Sequence, residues 1–305
     1  MSDATVPVSA QRVPFRDRPL GKAIAEYCES RSAVLAFCVA FLVVLAAVLA
    51  SQLAPQNPYD LAKLDILDGT LEPLSKSFTG STYLLGTDEQ GRDMLSAILY
   101  GLRISLAVGV ASTAIAFALG ASLGLVAAYR GGRFETILMR VVDLQLSFPA
   151  LLIALVLLVV LGQGVDKIIL ALVLVNWAYF ARAARGASLA ERNKDYIEAA
   201  RALRLSDARI IFRHLLPNVM PSMIVIATTM VARAISTEAT LSFLGIGLPI
   251  TEPSLGLLIS NGYRYLLSGK YWISFFPGIA LVVAIIAINL MGDRLRDVLN
   301  PRLKK

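Results

Sequence analysis

Long apolar runs alternate along this chain with short polar and basic stretches. Ala33 to Ala50 is an unbroken apolar run of 18 residues; Ile104 to Tyr129 holds 26 uncharged residues, Leu144 to Gln163 holds 20 with Pro149 inside, and Tyr271 to Gly292 holds 22. Each is close to or above the roughly 20 residues that carry a helix across a hydrocarbon core of about 30 Å. Two further runs are less regular. Ile168 to Ala181 has only 14 residues, and Val219 to Ile250 is apolar but carries Arg233 and Glu238. The pattern predicts an all-α membrane protein of six transmembrane helices, the fourth and fifth being the least regular.

The first run could be read as the apolar part of a secretory leader, since small residues follow it in Val48-Leu49-Ala50-Ser51-Gln52. It is longer than such a segment and begins only after 32 residues, which favours an uncleaved span.

Composition agrees. Of 305 residues, 56% are hydrophobic and 17% charged, outside the range of ordinary soluble domains. The net charge of +7 raises nucleic acid as a partner, but the distribution of the charge argues against it. With the N-terminus inside, the segments 1–32, 130–140, 182–218 and 293–305 carry 21 of the 29 Lys and Arg residues. The outside segments 51–103, 164–167 and 241–270 carry 7. That bias places both termini in the cytoplasm and explains the net charge through the lipid bilayer alone. Cys28 and Cys38, in a polar segment and an apolar run, make poor disulfide or metal partners, and the single histidine, His214, lies in a basic loop.

Polar groups inside the spans are costly in lipid and mark cavities, partners or bundle interiors. Asp143 is expected to pair with Arg140 or a neighbouring helix. Arg233 and Glu238 are five apart, not one clean helical face, so they either pair through long side chains or each reach another helix. Asn176, Trp177 and Asn289 are further candidates to line a path. Gly120 and Gly124 form a GxxxG face suited to close helix approach, in the bundle or in a dimer. The acidic residues Asp60, Asp65, Asp68, Glu72, Asp88, Glu89 and Asp93 crowd the first outer segment and read as a solvated loop in preference to a cation site. No HExxH, GxSxG or phosphate-cradling GxxxxGK[ST] occurs, so any energy for transport comes from an ion gradient or from another polypeptide.

The longest basic loop holds the most particular pattern. Asp195–Leu216 reads as two short helices with a break between them. Ser206 is placed as an N-cap with Asp207 in the first turn, where negative charge suits the helix dipole. Ala208, Ile211, Phe212, Leu215 and Leu216 then form one apolar stripe at α-helical spacing, with Arg209 and Arg213 elsewhere. Pro217 restricts Leu216 and marks the turn into the next span. Physics alone permits an amphipathic helix lying on the membrane surface.

The residue order is more specific than that. Glu198-Ala199-Ala200 and the ending Leu215-Leu216-Pro217 resemble the EAA loop of ABC importer permeases, with Arg204 standing where that family usually has Gly. Leu85 to Leu106, with Gly86-Thr87-Asp88, Gly91-Arg92-Asp93 and Gly101–Ser105, is similar to the segment before the second span of dipeptide, oligopeptide and nickel permeases. Leu241–Gly247 and Gly292–Leu303 resemble the same family's fifth-span exit and C-terminal tail, and Leu255 stands where Trp is more usual in the outer loop.

The resemblance implies the second membrane subunit of a peptide-type importer with the type I permease fold. It divides the chain into a cytoplasmic segment 1–32, a first span 33–53, a periplasmic loop 54–100, a five-helix domain 101–293 with the coupling loop 195–217, and a cytoplasmic tail 294–305. It implies a bacterial inner-membrane protein that is not an enzyme and binds no cofactor, ATP and Mg being held by partners. Those partners are a homologous permease, one or two cytoplasmic ATPases and a periplasmic solute-binding protein. Glu198, Ala199, Ala200, Arg204, Ser206, Leu216 and Pro217 would contact the ATPase. Dipeptides, longer peptides, glutathione, nickel chelates and opine-like solutes all fit. The competing expectation is an ion-coupled secondary transporter built on Arg233 and Glu238.

Overall fold

A computed structural model describes residues 25–60, 64, 66–77, 80, 82–249 and 251–299. The N-terminal residues 1–24, Asp65, Ile250 and the last residues of the tail, 300–305, lie outside the described residues, so the sequence expectations there are not addressed by it.

The first apolar run forms α1 (Arg31–Val48), capped by Ser30, whose hydroxyl accepts from the Ala33 amide, and continues after Leu49 as the short α2 (Ala50–Leu53). The outer segment that follows contains a minimal antiparallel ribbon, β1 (Ser75–Lys76) and β2 (Thr82–Tyr83), with Ser75 opposite Tyr83 and Lys76 opposite Thr82. It delivers the chain to α3 (Met94–Arg130), a 37-residue helix of about 55 Å. That exceeds the bilayer core. Its first two turns are held among the outer segments by buried Met94, Ala97 and Ile98.

The third predicted run does not form one straight span. It is split between α4 (Gly132–Leu146) and α5 (Ala150–Leu161), which meet at 88°. Pro149 is the cause: its ring disfavours helical geometry at Phe148, and it stands as the N-cap of α5. With 12 residues, α5 is about 18 Å long, too short to cross alone. Among the described residues there are therefore five helices long and apolar enough to span, or six with the bent pair as one span.

The fourth run is longer than its apolar stretch. α6 (Val165–Glu191) extends ten residues beyond Ala181, because Arg182 and Arg185 continue the helix while pairing with Asp143 and Glu135 on α4. After α7 (Asp195–Ala202), a single helical turn α8 (Asp207–Arg209) runs through a π-turn at Ile210–Leu215 into α9 (Leu216–Phe243) without a break. The expected turn at Pro217 is absent. Pro217 lacks an N–H for the Arg213 carbonyl, and the wider π winding that precedes it takes up the misfit inside a continuous helix. The chain closes with α10 (Leu255–Tyr263) and α11 (Trp272–Leu299).

Helix α3 is the central pillar. It packs most extensively on α6 and also touches α1, α9 and α10. At Gly120 and Gly124 an added Cβ would overlap the carbonyl oxygens of Trp177 and Ala181, so the GxxxG face serves an intrachain contact with α6. Apolar clusters stack along this pillar. One near the outer segment contains Met94, Leu102, Leu255 and Trp272; one at the opposite, basic end contains Leu125, Phe180, Ile197, Ile210, Leu215 and Met223.

Candidate functional site

The segment 195–217 sits at the basic end and has two faces. Ile197 and Ala200 of α7, with Ile210, Ile211 and Leu215 of the π-turn, are buried against Leu125, Phe180 and Met223. The opposite face is exposed at Glu198, Ala199, Arg201, Arg204, Ser206, Arg209 and Arg213. It also presents Leu203, 74% exposed, and Phe212, 47% exposed. The buried set differs from the stripe expected at α-helical spacing: Ile210 is inside, while Ala208 and Phe212 are outside. A π-turn advances more residues per revolution than an α-helix, so it puts Ile210 and Leu215, five apart, on one face.

The join between the two short helices is a Schellman turn. The Arg204 amide donates to the Arg201 carbonyl at 2.9 Å and the Leu205 amide to that of Ala200 at 3.2 Å, with Arg204 left-handed at φ 50°. Ser206 then occupies the N-cap position with extended backbone. Its carbonyl accepts from the Ile210 amide, but its side chain makes no capping hydrogen bond. Leu216 is half-buried, and Pro217 is exposed in the first turn of α9.

Tyr129, at the end of α3, ties this segment to the pillar. Arg201 lies over its ring at 5.0 Å, and its hydroxyl donates to Asp207 at 3.1 Å. Tyr196 donates to Glu191 at 2.9 Å. Burial, followed by that donation to a carboxylate, pushes the Tyr196 hydroxyl up to about 12.

The intramembrane polar residues resolve into separate arrangements. Asp143 pairs with Arg182 of α6, not with Arg140. Trp177 donates to Gln145 at 2.9 Å, Asn176 is buried and Asn289 half-buried. Arg233 and Glu238, the pair on which an ion-coupled carrier would depend, share no hydrogen bond or ion pair. Arg233 is exposed, stacked over the Tyr179 ring at 4.6 Å while donating to its hydroxyl at 3.0 Å. Glu238 is 0% exposed and receives the hydroxyls of Ser105 at 2.7 Å and Ser242 at 2.8 Å, with Ser254 as a further hydrogen-bond partner. Ser254 also caps α10, accepting from the Leu257 amide, so one carboxyl group joins α3, α9 and the positive end of α10.

Two sequence motifs that are more than 130 residues apart thus meet. Gly101 of the first lies against Ser254 and Leu255, where an added Cβ would come within 3.3 Å, and Ser105 reaches Glu238. Ser242 of the second binds Glu238 and backs onto Gly247. Neither charge pattern nor hydropathy reveals this. The recurrence of Ser and Gly at both ends was the available signal.

The outer motif is a folded knot, not a solvated loop. Thr87 donates to the Asp68 carbonyl at 2.5 Å and accepts from the Leu71 amide at 2.7 Å. Asp88 pairs with Arg92 at 2.6 Å, both fully buried, and takes the amides of Gln90 and Arg92. Asp93 caps α3 through the Ser96 amide at 2.8 Å. Gly86, at φ 79°, lies so close to the Leu71 carbonyl and the Trp272 ring that a side chain would collide with both. Gly91 is left-handed as well, at φ 74°. Asp68, Asp88 and Asp93 are thereby buried and hydrogen-bonded, which corrects the solvated reading for these three acids. The knot reaches α11 through Trp272, which donates to the Thr87 carbonyl at 3.2 Å. Tyr265 donates to Glu89 at 2.8 Å, and that donation raises its hydroxyl above the usual range.

Among the described residues, no cluster of three or more His, Cys, Asp or Glu side chains could hold a metal ion. Two cavities border α9. One, of about 760 Å³, lies toward the basic end and is lined by Ser222, Ile226, Thr229 and Asp293 among others. The other, of about 240 Å³, lies toward the outer segment beside Ser236, Thr240, Phe243 and Leu281.

Residues 120–305 match the family model described as binding-protein-dependent transport system inner membrane component. The di/tripeptide transport system permease protein of Pseudomonas aeruginosa is 34% identical over 94% of this chain and 93% of its own length. The dipeptide transport system permease protein of Bacillus subtilis is 37% identical over 82% of this chain and 76% of its own. Among solved structures, an inward-facing form of the MetNI methionine ABC transporter matches with a TM-score of 0.56 and 22% identity, covering 68% of this chain and 98% of that one, a likeness of fold.

Proposed function

Because the chain belongs to the family of binding-protein-dependent transport system inner membrane components, it is a permease subunit of an ABC importer, and we propose that its cargo is a peptide or a closely related small solute. It is a multi-pass inner-membrane protein and not itself an enzyme, since ATP hydrolysis belongs to separate ATPase subunits. A second permease, ATPases and a solute-binding protein complete such a system. In our reading the second permease is a homologue, not a second copy, one or two kinds of ATPase hold ATP and Mg, and both termini of this chain face the cytoplasm.

The observation that carries the coupling role is the two-faced segment 195–217. Its inner face is anchored to α3 and α6 through Ile197, Leu215 and Tyr129, while its outer face offers Leu203 and Phe212 among Glu198, Arg204 and Arg209. Apolar side chains ringed by charges suit a protein surface better than water. Since α8, the π-turn and α9 form one continuous helix, a push on this segment would move α9 as a rigid body. ATP-driven closure of the ATPases would thereby be passed to the span that carries Arg233 and Glu238. The outer knot and α10 would face the solute-binding protein.

The test is purification of this chain from native membranes with its companions, followed by uptake in vesicles. The reading expects an ATPase, a second permease and a binding protein, and peptide uptake that requires ATP and survives collapse of the proton gradient. Uptake that stops with the gradient and needs no ATPase would overturn it.

A further inference from the structure

One face of α9 carries an arginine with which, among the described residues, no carboxylate forms an ion pair. Ser222, Thr229, Arg233, Ser236 and Thr240 follow one another at steps of seven, four, three and four residues, which keeps them on one side of an α-helix. Thr229 is half-buried and the other four are exposed. Arg233 lies ten residues before the outer end of α9, about 15 Å along the axis and so near the middle of the bilayer core. An arginine at that depth is too far from either interface to reach it along its own side chain, and it belongs in a water-filled or protein-lined space. The two cavities lie on this same face, one on either side of Arg233 along the helix.

The guanidinium is prepared for a planar anion. Tyr179 covers one side of it at 4.6 Å and takes one N–H through its hydroxyl, and among the described residues no carboxylate forms an ion pair with it. The threonine hydroxyls beside it are already turned back to their own helix, Thr237 onto the Arg233 carbonyl and Thr240 onto that of Ser236. The remaining guanidinium N–H groups are the strongest donors on the stripe, fixed in a fork that matches a carboxylate.

We propose that Arg233, held by Tyr179, is a solute-binding residue midway along the translocation path and engages a free carboxylate of the passing solute. This rests on the peptide reading above, and every unmodified peptide brings such a carboxylate. The contact would be made after release from the binding protein and broken before the solute leaves the inner cavity. Arg233 would then favour carboxylate-bearing cargo at a point where the outer knot and α10 no longer act.

The experiment uses the whole transporter reconstituted in lipid vesicles with its binding protein, and radiolabelled dialanine as the probe. Uptake is compared for the unaltered chain, Arg233→Lys and Arg233→Gln, alongside stimulation of ATP hydrolysis by loaded binding protein and recovery of the second permease. The expected result for Arg233→Gln is a drop in uptake of about tenfold with ATP hydrolysis still stimulated, and for Arg233→Lys an intermediate rate, because charge is kept but the fork is lost. Uptake by Arg233→Gln within about twofold of the unaltered transporter would overturn the proposal. So would loss of the second permease or of ATPase stimulation in that variant, since Arg233 would then be an assembly or coupling contact. An unaltered transporter that hydrolyses ATP in response to its binding protein but carries no peptide would overturn the cargo reading, and the carboxylate role with it.

Discussion

The amide of Leu205 donates to the carbonyl of Ala200 at 3.2 Å, closing a Schellman turn around Arg204 at φ 50°. A left-handed backbone suits glycine and costs other residues about 1–2 kcal/mol. Arg204 is therefore a strained arginine at the bend of the segment proposed to meet the ATPase. Arg204→Gly is expected to raise stability by about 0.5–1 kcal/mol, part of the gain being offset by the freer unfolded chain. Arg204→Val, stiffer at that geometry, is expected to lower it. Thermal unfolding of the purified transporter, followed by the release of this chain, checks both. A gain for Val would mean that the turn is not left-handed.

The crossing of α3 and α6 depends on two absent side chains. At Gly120 and Gly124 a methyl group would overlap backbone oxygens, which cannot rotate away as a flexible side chain could. Gly120→Ala is expected to cost about 1–3 kcal/mol through forced separation of the helices. Gly186, with open space around its Cβ position on the partner helix α6, serves as the control: Gly186→Ala should be neutral or mildly stabilising. Equal melting temperatures for the two variants would contradict the close crossing.

Glu238 holds together elements that hydropathy treats as unrelated. Glu238→Ala would leave the hydroxyls of Ser105 and Ser242 without their acceptor in a buried site, with an expected loss of about 2–4 kcal/mol. Glu238→Gln retains one carbonyl oxygen, and a serine hydroxyl can reverse to accept from the new amide, so a loss of about 1 kcal/mol is expected. Protease sensitivity of the α10 segment should rise in the Ala variant first, because Ser254 links Glu238 to the N-cap of that helix. Matching losses in the two variants would indicate that the negative charge, not the acceptor, is what the three helices share.

Spans were legible where length and apolarity agree, as in α1, α3 and α11. They were less so where another force sets the boundary. α6 outruns its apolar stretch because its arginines are paired on α4, and the α4–α5 bend follows from Pro149 with no mark in the hydropathy. The π-turn was invisible because α-helical spacing produced a credible stripe, and only packing of Ile210 with Leu215 reveals the wider winding. In the outer knot the residues were legible as a motif, but their burial was not. It depends on Trp272 reaching Thr87 across 185 residues of chain, which no local pattern encodes. The serines around Glu238 were likewise plain residues until α3, α9 and α10 came together.

Tyr196 offers a probe of the coupling segment that needs no ligand. Its hydroxyl is pushed up to about 12 by burial and by donation to Glu191, against about 10 for an exposed tyrosine. A raised value in the folded protein means that the folded state keeps its proton where the unfolded chain has lost it. Its contribution to stability is thus complete below pH 10 and is lost as pH rises from 10 through about 12. Local unfolding of segment 195–217, followed by hydrogen exchange or by proteolysis between α6 and α9, should become easier across that window. Tyr196→Phe removes the titrating group, so it should begin with a weaker link to α6 but show a flatter dependence on pH. Tyr59, also pushed up to about 12 by burial, lies in the outer segment and reports on the opposite end of the molecule. An alkaline transition near α7 that remains unchanged in Tyr196→Phe would show that another group controls the segment, and would remove the Tyr196–Glu191 bond as its clasp on α6.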